Sequence, residues 1–505
     1  MHHFDIVIIG SGAGGGTIAH ALADTGVSIL LVERGDFIPQ EEQNWDPEAV
    51  WKQLRYQTTE EWFDERGRPF RPYTHYCVGG NTKFWGSVLY RLRREDFQAI
   101  EHMDGVSPAW PIDYAALEPY YERAEQLYQV RGLHGLDPSE PARRPYPFEP
   151  VPHGDGMSTI VEQLRAMGLH PSPLPLGVLR PGEADGCILC DTCNSFACKL
   201  HAKSEADVVC VRPAIRRTNV TLWTNACARR LHTDPSGTKV MAADIERSGE
   251  TLRVEAPLFI VSCGAINSAA LLLRSRNDRH PAGLANSSGL VGRRYMAHLA
   301  TMVSSFDGWR KNTTVFQKTV AINDFYLRGP NTRYPLGQIQ SQGRTAGITL
   351  KSAAPWYAKD LPLNWYKWWA GGAVDWLVMS EDLPDVDNGI TIDDQGRIHL
   401  RYRPNNLRAH RLLVTETKRI LRKLGLWLIV QHSLGAKNTT HQCGTLCFGS
   451  DHRTSVLDGY CRAHDVENLF VVDGSFFPSS AAVNPGLTIA AQALRVADHI
   501  KETEL

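Results

Sequence analysis

The stretch FDIVIIGSGAGGGTIAHALADTGVSILLVERG, residues 4–35, decides the fold. Its first part, Phe4–Ile9, is apolar at every position except Asp5, as a strand buried on both faces of a sheet requires over most of its length. Gly10, Gly12 and Gly15 follow with the spacing G-x-G-x-x-G. In this pattern the first glycine allows a sharp turn, the second lets the backbone approach a pyrophosphate, and the third packs helix against strand. We therefore predict a strand–turn–helix unit whose helix N-terminus faces phosphates.

A second predicted strand, Val27–Val32, ends at Glu33. An acid at this point can accept hydrogen bonds from both ribose hydroxyls of an adenosine, and it would repel a 2′-phosphate. We interpret the segment as a dinucleotide site; the alternative is a glycine-rich turn with only a structural role. The βα alternation expected of an NAD enzyme is then replaced by a stretch rich in Trp, Pro and Arg, residues 39–73, which favours FAD.

The composition is that of a large globular protein. The chain has 505 residues, of which 43% are apolar and 22% charged, with a formal net charge of −1. This balance excludes nucleic acid and anionic membrane as expected partners, and no apolar run is long enough to cross a bilayer. The N-terminal run leads into glycines without a cleavage site, so we interpret it as a strand and not a signal peptide. Eleven cysteines without an export signal predict reduced thiols in a cytoplasmic protein.

Three separated blocks resemble the glucose–methanol–choline (GMC) oxidoreductases. The loop VGGNT, residues 78–82, with Trp85-Gly86, is similar to the loop beside the flavin ring in that family. SCGAINSAALLLRS, residues 262–275, resembles the family's internal signature. NLFVVDGSFFPSSAAVNPGLTIAAQALRVADHI, residues 468–500, resembles its C-terminal flavin segment. The resemblance implies FAD, a hydroxyl-bearing substrate and hydride transfer to the flavin.

The candidate cofactor-binding residues come from these blocks. Gly79 and Gly80, in the first of these blocks, permit close backbone approach to a flat ligand. Asp473-Gly474 follows a predicted strand, Leu469–Val472, and is expected to turn against phosphate or ribityl oxygens; a plain βα packing unit is the alternative. The helix after Pro485 can stabilise negative charge on a reduced flavin. The full set is Gly10, Gly12, Gly15, Glu33, Gly79, Gly80, Asn81, Thr82, Asp473, Gly474, Asn484 and Pro485. The loop from Gly79 to Trp85 contains no histidine, so we expect non-covalent FAD.

The candidate catalytic residues are His441 and Asn484. By resemblance, His441 matches the family's active-site histidine and Asn484 the second member of its pair. Oxidising an alcohol requires a base for the hydroxyl proton, and imidazole titrates near working pH. Asn484 can hydrogen-bond the same oxygen and orient the substrate. The alternatives are a structural histidine or a metal site with Cys443 and Cys447, although H-x-C-x3-C lacks the paired spacing of a zinc site.

A second cysteine group lies at Cys187, Cys190, Cys193 and Cys198. Its spacing, C-x2-C-x2-C-x4-C, differs by one residue from an iron–sulfur pattern and lacks the proline that follows it. A four-thiolate zinc site is also open. Family members have a Cys- and Gly-rich turn before a stretch similar to Ala202-Lys203-Ser204, so we expect metal-free thiols and no metal.

The expected substrate region is a second domain over the flavin. In GQIQSQG, Gln338, Gln340 and Gln342 share one face of a strand, and amides suit a polyhydroxylated ligand. We take Gln340 as the substrate-binding candidate; the alternative is a solvated strand face. A Trp-rich stretch, residues 356–376, offers rings that stack on sugars or simply form core.

These observations predict a mixed α/β fold: a Rossmann-like FAD-binding domain interleaved with a substrate domain built on an antiparallel sheet. The expected division has five parts. They are the first part of the FAD domain (1–103), an insertion or lid with the Cys-rich loop (104–200), the second part of the FAD domain (201–295), the substrate domain (296–438) and the C-terminal part of the FAD domain (439–505).

The expected activity is oxidation of a secondary hydroxyl, at C3 or C2 of a pyranose or glycoside, to a ketone. The pattern is most similar to the bacterial pyranose oxidase and glycoside 3-oxidase branch of the family. A choline-type dehydrogenase is the alternative, because Glu381 and Asp382 lie beside the Trp-rich stretch. The choice between oxygen and another electron acceptor, and that between a monomer and a homo-oligomer, are left open.

Overall fold

The computed structural model describes residues 2–352, 354, 356, 358–438 and 440–505. Most of its strands are short, and they lie in several separate sheets. In chain order the strands are β1 (His2–His3), β2 (Ile6–Ile9), β3 (Ile29–Val32), β4 (Trp62–Asp64), β5 (Pro69–Phe70), β6 (Ile100–His102), β7 (Gly105–Ser107), β8 (Val130–Arg131), β9 (Pro171–Pro173), β10 (Leu176–Gly177), β11 (Val220–Trp223), β12 (Ala226–Thr233), β13 (Val240–Arg247), β14 (Glu250–Glu255), β15 (Leu258–Val261), β16 (Arg293–Met296), β17 (Leu299–Phe306), β18 (Val320–Ile322), β19 (Gln338–Ser341), β20 (Val374–Ser380), β21 (Gly389–Ile392), β22 (Ile398–Arg401), β23 (Leu428–Ser433), β24 (Cys443–Thr445) and β25 (Leu469–Val471).

The α-helices vary from a single turn to five turns. In chain order they are α1 (Ala13–Leu22), α2 (Tyr114–Leu127), α3 (Asp155–Ala166), α4 (Arg212–Ala214), α5 (Ala265–Arg274), α6 (Gly347–Ser352), α7 (Leu363–Gly372), α8 (Leu407–Lys423) and α9 (Gly486–Thr503). Two short 3₁₀ turns, Gly80–Lys83 and Gly474–Phe476, lie in the segments expected to hold the cofactor.

A five-stranded parallel sheet carries the predicted dinucleotide unit. Its strand order is β11-β3-β2-β15-β25. The inner strands are fully buried apolar runs, as expected of a parallel sheet that is covered on both faces. Residues just beyond four neighbouring strands, Gly10, Glu33, Ser262 and, two positions after β25, Asp473, therefore meet at one edge of the sheet, where open α/β sheets bind ligands.

A six-stranded antiparallel sheet forms the opposite side of the molecule's main cleft. Its order is β23-β17-β20-β19-β18-β9. One face packs on α3 and α8 through a core that includes Val303, Trp376 and Val378. Side chains alternate along a strand, so the intervening residues of β17 and β20 face the other way, towards the parallel sheet.

A further six-stranded sheet, in the order β24-β16-β21-β22-β4-β5, joins distant parts of the chain. The stretch GITIDDQGRIHLRYRP, residues 389–404, forms the β21–β22 hairpin of this sheet, whereas the GQIQSQG run expected in the substrate region supplies β19 of the antiparallel sheet. The runs thus separate because β21 pairs with β16 rather than with β20.

The predicted fold class is confirmed as a mixed α/β structure with a Rossmann-like parallel sheet and an antiparallel sheet. The parallel sheet draws its strands from three separate parts of the chain. Residues 104–200 contribute α2, which packs on α9, and β9, which pairs with β18. The five-part domain division stays a prediction.

We predict that Gly10→Ala destabilises the protein more than Gly26→Ala. Both glycines have positive φ, 101° and 82°, so alanine costs roughly 1–2 kcal/mol of backbone strain at either site. At Gly10 the added methyl group would also overlap the carbonyl of Ser262, whereas nothing lies within 4 Å of that position at Gly26. Thermal unfolding of the two variants measures the difference. Equal losses of melting temperature would contradict the close approach.

Candidate active site

A cavity of about 1030 Å³ lies between the parallel and antiparallel sheets. The N-termini of α1, α5 and α9 open onto it, because the preceding residues Gly12, Gly264 and Pro485 all line its wall. Helix N-termini present unpaired N–H groups and partial positive charge, which suit phosphates and other anions. The opposite wall is formed by side chains of β17, β19, β20 and β23.

The glycine turn has one open and two closed positions. A methyl group on Gly12 would meet no atom within 4 Å, so space for a ligand lies directly before α1. A methyl group on Gly15 would overlap the carbonyl of Gly10, and one on Gly10 would overlap that of Ser262. Gly10 and Gly12 line the cavity, and Gly15 lies outside its lining and packs against the strand.

Glu33 is buried at the end of β3 and lines the same cavity. Its Oε2 accepts hydrogen bonds from Ser11 N at 3.1 Å and Ser11 Oγ at 2.6 Å, and its Oε1 accepts one from Gly35 N at 3.1 Å. Burial raises the pKa of Glu33, while these hydrogen bonds act in the opposite direction. The carboxylate is thereby held where an adenosine ribose would follow the pyrophosphate.

The loop at residues 79–82 lies directly over the glycine turn. Gly79 and Gly80 have φ of 89° and 55°, conformations that favour glycine. Gly79 N donates to Ser11 Oγ at 3.0 Å, and a methyl group on Gly80 would lie 3.3 Å from Gly12 Cα. The residues of this loop that line the cavity are Gly80, Asn81 and Thr82; Gly79 packs behind them.

Two buried lysines hold this loop from behind. Lys83 forms ion pairs with Glu205 and, at 2.9 Å, with Asp207. Lys203 Nζ donates to the carbonyls of Lys83 at 2.9 Å and Trp85 at 3.1 Å. Sequence reasoning noted the Ala202-Lys203-Ser204 stretch but not this role, because the partners lie 120 residues away in the chain.

Asp473 links the C-terminal turn to the start of α5. Its Oδ2 accepts a hydrogen bond from Gly264 N at 2.9 Å, and its Oδ1 accepts one from Ser475 N at 2.8 Å. A side chain on Gly474 would overlap the carbonyl of Gln442. Asp473 and Gly474 both line the cavity, so this turn brings the end of β25 to the predicted catalytic segment.

Asn484 and His441 meet at the start of α9. Asn484 Nδ2 lies 3.4 Å from His441 Nε2, and Asn484 Oδ1 has no hydrogen-bond partner among the described residues. A methyl group on Gly486 would lie 2.7 Å from the Trp85 ring, so the α9 N-terminus closely abuts the loop at residues 79–86. Both predicted catalytic residues and Pro485 line the cavity.

His441 is uncharged at neutral pH. Burial lowers its pKa well below the ordinary value, and the neighbouring His298 and Lys318 side chains act in the same direction. His298 Nδ1 lies 2.8 Å from His441 Nδ1. Sequence reasoning missed His298, because it lies in YMAHLA, a segment without a motif, 143 residues before His441.

Lys318 is a second residue that sequence reasoning missed. Its Nζ donates to the Gly86 carbonyl at 2.6 Å and to Asn194 Oδ1. Burial lowers the pKa of Lys318 to about 7, and the neighbouring Lys203 adds to this effect. The residue lines the cavity beside the loop expected to adjoin the flavin.

The opposite wall consists of two rows of side chains across the antiparallel sheet. In the first row Met302 pairs with Leu377, and Leu377 pairs with Gln340. In the next, Ser304 pairs with Asp375. Gln340 Oε1 and Asp375 Oδ1 are buried without a hydrogen-bond partner among the described residues, and so is the neighbouring Arg344 Nε. The wall therefore offers acceptors and donors to a ligand.

The three glutamines predicted on one face have different environments. Gln340 lines the cavity. Gln342 also lines it, but its Oε1 accepts a hydrogen bond from Asn194 Nδ2. Gln338 lies outside the cavity lining and donates to Asn323 Oδ1 at 2.9 Å. The shared face is thus only partly available to a ligand.

The Trp-rich stretch is likewise divided. Trp365 and Trp369 line the cavity, whereas Trp376 belongs to the core behind the sheet. The two carboxylates that follow this stretch in the sequence have other partners. Glu381 Oε2 lies 3.1 Å from His102 Nε2, and Asp382 Oδ2 accepts a hydrogen bond from the Tyr402 hydroxyl at 2.9 Å. Neither lines the cavity, so the expectation that these carboxylates lie beside the substrate, which supported a choline-type substrate, is wrong.

Comparison with known proteins identifies the family. Residues 159–300 match the N-terminal and residues 393–493 the C-terminal part of the GMC oxidoreductase model. Paromamine 6′-oxidase of Streptomyces fradiae is 32% identical over 98% of this chain and 90% of that protein. The chain belongs to the GMC oxidoreductase family. The large subunit of fructose dehydrogenase from Gluconobacter japonicus is 28% identical over 98% of this chain and 97% of its own length.

Solved structures show the same fold. Pyridoxine 4-oxidase from Mesorbium loti superposes with a TM-score of 0.68 at 19% identity, covering 99% of both chains. A formate oxidase from Aspergillus oryzae superposes with a TM-score of 0.70 at 17% identity, covering 100% of this chain and 99% of the other. As a GMC oxidoreductase, the protein is a FAD enzyme that acts on CH–OH groups of sugars or other alcohols.

The cavity of this GMC oxidoreductase fits FAD. Open space lies before the α1 N-terminus, the buried Glu33 carboxyl group lines the cavity near it, and further buried polar atoms of lining residues have no partner among the described residues. From the loop segment these atoms are Thr74 Oγ1, His75 Nε2, Trp85 Nε1 and Ser87 Oγ. Buried polar groups normally have hydrogen-bond partners, so these atoms mark where a polar ligand binds.

The Cys-rich loop of the GMC oxidoreductase lies at the edge of the cavity. Its backbone is anchored by Lys203 Nζ, which donates to the Phe196 carbonyl at 2.8 Å. Each of the eleven cysteines is a free thiol, and within the described ranges no three His, Cys, Asp or Glu side chains gather as a metal site would require.

Across those ranges no helix is both long and apolar enough to span a membrane.

Proposed function

We propose that this GMC oxidoreductase oxidises a hydroxyl group of a sugar or glycoside. One observation carries the proposal: the His441–Asn484 pair and the unpartnered polar atoms of Gln340, Asp375 and Arg344 line a single cavity. Both hydrogen-bond donors and acceptors are present in that set, and a polyhydroxylated ring both donates and accepts. A simple aliphatic alcohol would leave these buried groups unsatisfied at a cost of about 1–3 kcal/mol each.

The chemistry is assigned to the pair. FAD, when bound, accepts the carbinol hydride at N5. His441 is neutral, so its Nε2 can accept the hydroxyl proton as the C=O bond forms. Asn484 Nδ2 lies 3.4 Å from His441 Nε2, so it can donate a hydrogen bond to a substrate oxygen that approaches this nitrogen. Such a bond would hold the carbinol carbon in place.

We assign the cofactor roles to the residues at the edge of the parallel sheet. The α1 N-terminus after Gly12 would receive the pyrophosphate, and Glu33 the adenosine ribose. The α9 N-terminus, after Pro485, would stabilise negative charge on the flavin. The remaining members of the set are Gly10, Gly15, Gly79, Gly80, Asn81, Thr82, Asp473, Gly474 and Asn484. Because the loop from Gly79 to Trp85 holds no histidine, we propose that FAD is bound non-covalently.

The hydroxyl position has two candidates. The resemblance to pyranose oxidases and glycoside 3-oxidases favours a secondary hydroxyl, at C3 or C2, with a ketone as product. The names of two relatives, paromamine 6′-oxidase and 6‴-hydroxyparomomycin C oxidase of Streptomyces lividus, favour a 6′-type hydroxyl on an amino sugar glycoside. NMR of the product separates them, because the first gives a ketone and the second an aldehyde.

The remaining features are proposals of the same kind. A cytoplasmic location fits the eleven free thiols. The relatives include both oxidases and dehydrogenases, so oxygen or another acceptor would reoxidise the flavin. Its near-zero net charge predicts that the protein acts without nucleic acid or membrane. A monomer and a homo-oligomer are both compatible with the proposed activity.

We predict that His441→Ala retains FAD but reduces the flavin about 10²–10⁴-fold more slowly, since a positioned general base contributes that factor. Stopped-flow reduction by a sugar that bleaches the wild-type flavin measures the rate. Cys443→Ser, a change two residues away at a side chain that faces the core, serves as the control. Wild-type reduction by the alanine variant would exclude His441 as the base.

We predict that Asp375→Asn selectively impairs oxidation of amino sugars. Thr345 N donates to Asp375 Oδ2 at 2.6 Å, a bond that an amide oxygen can keep, while Oδ1 is free to bind a substrate ammonium. A hydrogen bond between charged groups contributes about 1.5–3 kcal/mol, so kcat/KM for paromamine should fall roughly 10- to 100-fold. The value for cellobiose, an uncharged disaccharide, should change less than about threefold. Equal losses for both would exclude the ammonium contact.

A further inference from the structure

His298 and His441 form a buried histidine pair. Their Nδ1 atoms lie 2.8 Å apart, and the rings meet edge to face, with centroids 4.9 Å apart and an interplanar angle of 80°. His298 lies between β16 and β17, and its Nε2 is 3.0 Å from the carbonyl oxygen of Ser480. Each nitrogen of His298 therefore has one partner.

These two contacts determine where the protons lie. A carbonyl oxygen can only accept, so His298 Nε2 carries a hydrogen and donates it to Ser480. Burial lowers the pKa of His298, so the ring is neutral and its Nδ1 is an acceptor. His441 Nδ1 must then be the donor in the short contact, and His441 Nε2 is left with its lone pair.

The lone pair faces the reacting site. His441 Nε2 is the nitrogen that lies 3.4 Å from Asn484 Nδ2, on the cavity side. The opposite tautomer would present an N–H group to the substrate hydroxyl and could not accept its proton. Without His298 the buried His441 Nδ1–H would lack an acceptor, and this would favour that unproductive tautomer.

We propose that His298 is a positioning residue that holds His441 in its Nδ1-protonated tautomer, so that Nε2 is always available as the base. The proposal rests on the assignment of His441 as that base. It follows the general logic that a catalytic imidazole is oriented by a third group on its far nitrogen. Here a neutral imidazole takes the place that a carboxylate holds in hydrolase triads.

The pair also accommodates the proton that arrives during the reaction. The proton leaves the substrate oxygen for His441 Nε2, the hydride leaves the carbon for the flavin, and the Nδ1–H···Nδ1 bond is unchanged. The charged groups around the pair act in both directions. Glu381 raises the pKa of His298 and so favours the added charge. Asp382 Oδ2 accepts a hydrogen bond from the backbone N–H of Ala297, the residue before His298. Lys318 opposes the added charge from the cavity side.

The test compares His298→Leu with His298→Gln in the FAD-loaded protein. Leucine offers no acceptor, whereas glutamine offers an amide oxygen towards His441 and an N–H group towards Ser480. We expect the leucine variant to retain FAD and to keep KM within about threefold while flavin reduction slows roughly 10- to 100-fold. The glutamine variant should recover most of that rate. A leucine variant that reduces flavin at the wild-type rate would overturn the proposal.

A second readout does not depend on turnover. In protein labelled with ¹⁵N-histidine, His441 of the wild type should show a protonated Nδ1 and an unprotonated Nε2, and His298→Leu should lose that pattern. The reverse tautomer in the wild type would overturn the proposal even if the leucine variant failed to fold. An inactive His441→Ala beside a fully active His298→Leu would refute the positioning role alone, whereas an active His441→Ala would refute the proposed base as well.

Discussion

The whole site depends on the glycine turn after β2. This turn packs against the ends of β15 and β25, and it can do so only because its glycines have no side chains at the points of contact. Side chains at Gly10 and Gly14 would overlap the carbonyls of Ser262 and Val472 respectively. This steric constraint holds the start of the chain against β15 and β25, and thereby against the segments that carry Asp473 and Asn484. The glycine turn and the proposed catalytic pair are consequently parts of one tightly packed unit, although more than 400 residues separate them in the sequence.

Facing that rigid edge is a wall whose buried polar atoms lack partners. Gln340 and Asp375 lie on a sheet that is otherwise well packed behind, through Trp376 and its neighbours, and Arg344 lies in the segment after β19. An unpaired buried polar group costs about 1–3 kcal/mol, so a fold selected for stability alone would replace such groups with apolar side chains. Unpaired polar groups in the wall of a cavity therefore indicate that a polar ligand binds there.

Local patterns made much of this predictable. The strand–turn–helix unit, Glu33 and the C-terminal helix follow from glycine spacing and apolar periodicity, which act over a few residues. His298, Lys318 and Asp375 could not be found in this way, because each acquires its role from partners brought in by long-range pairing. The period-two rule placed Gln338 beside Gln340, yet Asn323 on the neighbouring turn engages its amide, a contact that no pattern within the strand encodes. The carboxylates at Glu381 and Asp382 were misjudged for the same reason, since sequence proximity to tryptophans did not place them in the cavity.

The central claim is that FAD and a neutral His441 act on a sugar hydroxyl held in this one cavity. The most direct measurement is an anaerobic visible titration of the FAD-loaded protein with free sugars, glycosides, amino sugar glycosides and choline. The account predicts that the two flavin bands bleach with at least one sugar or glycoside and stay unchanged with choline. Bleaching by choline alone, or by none of the sugars while dithionite still reduces the flavin, would contradict it.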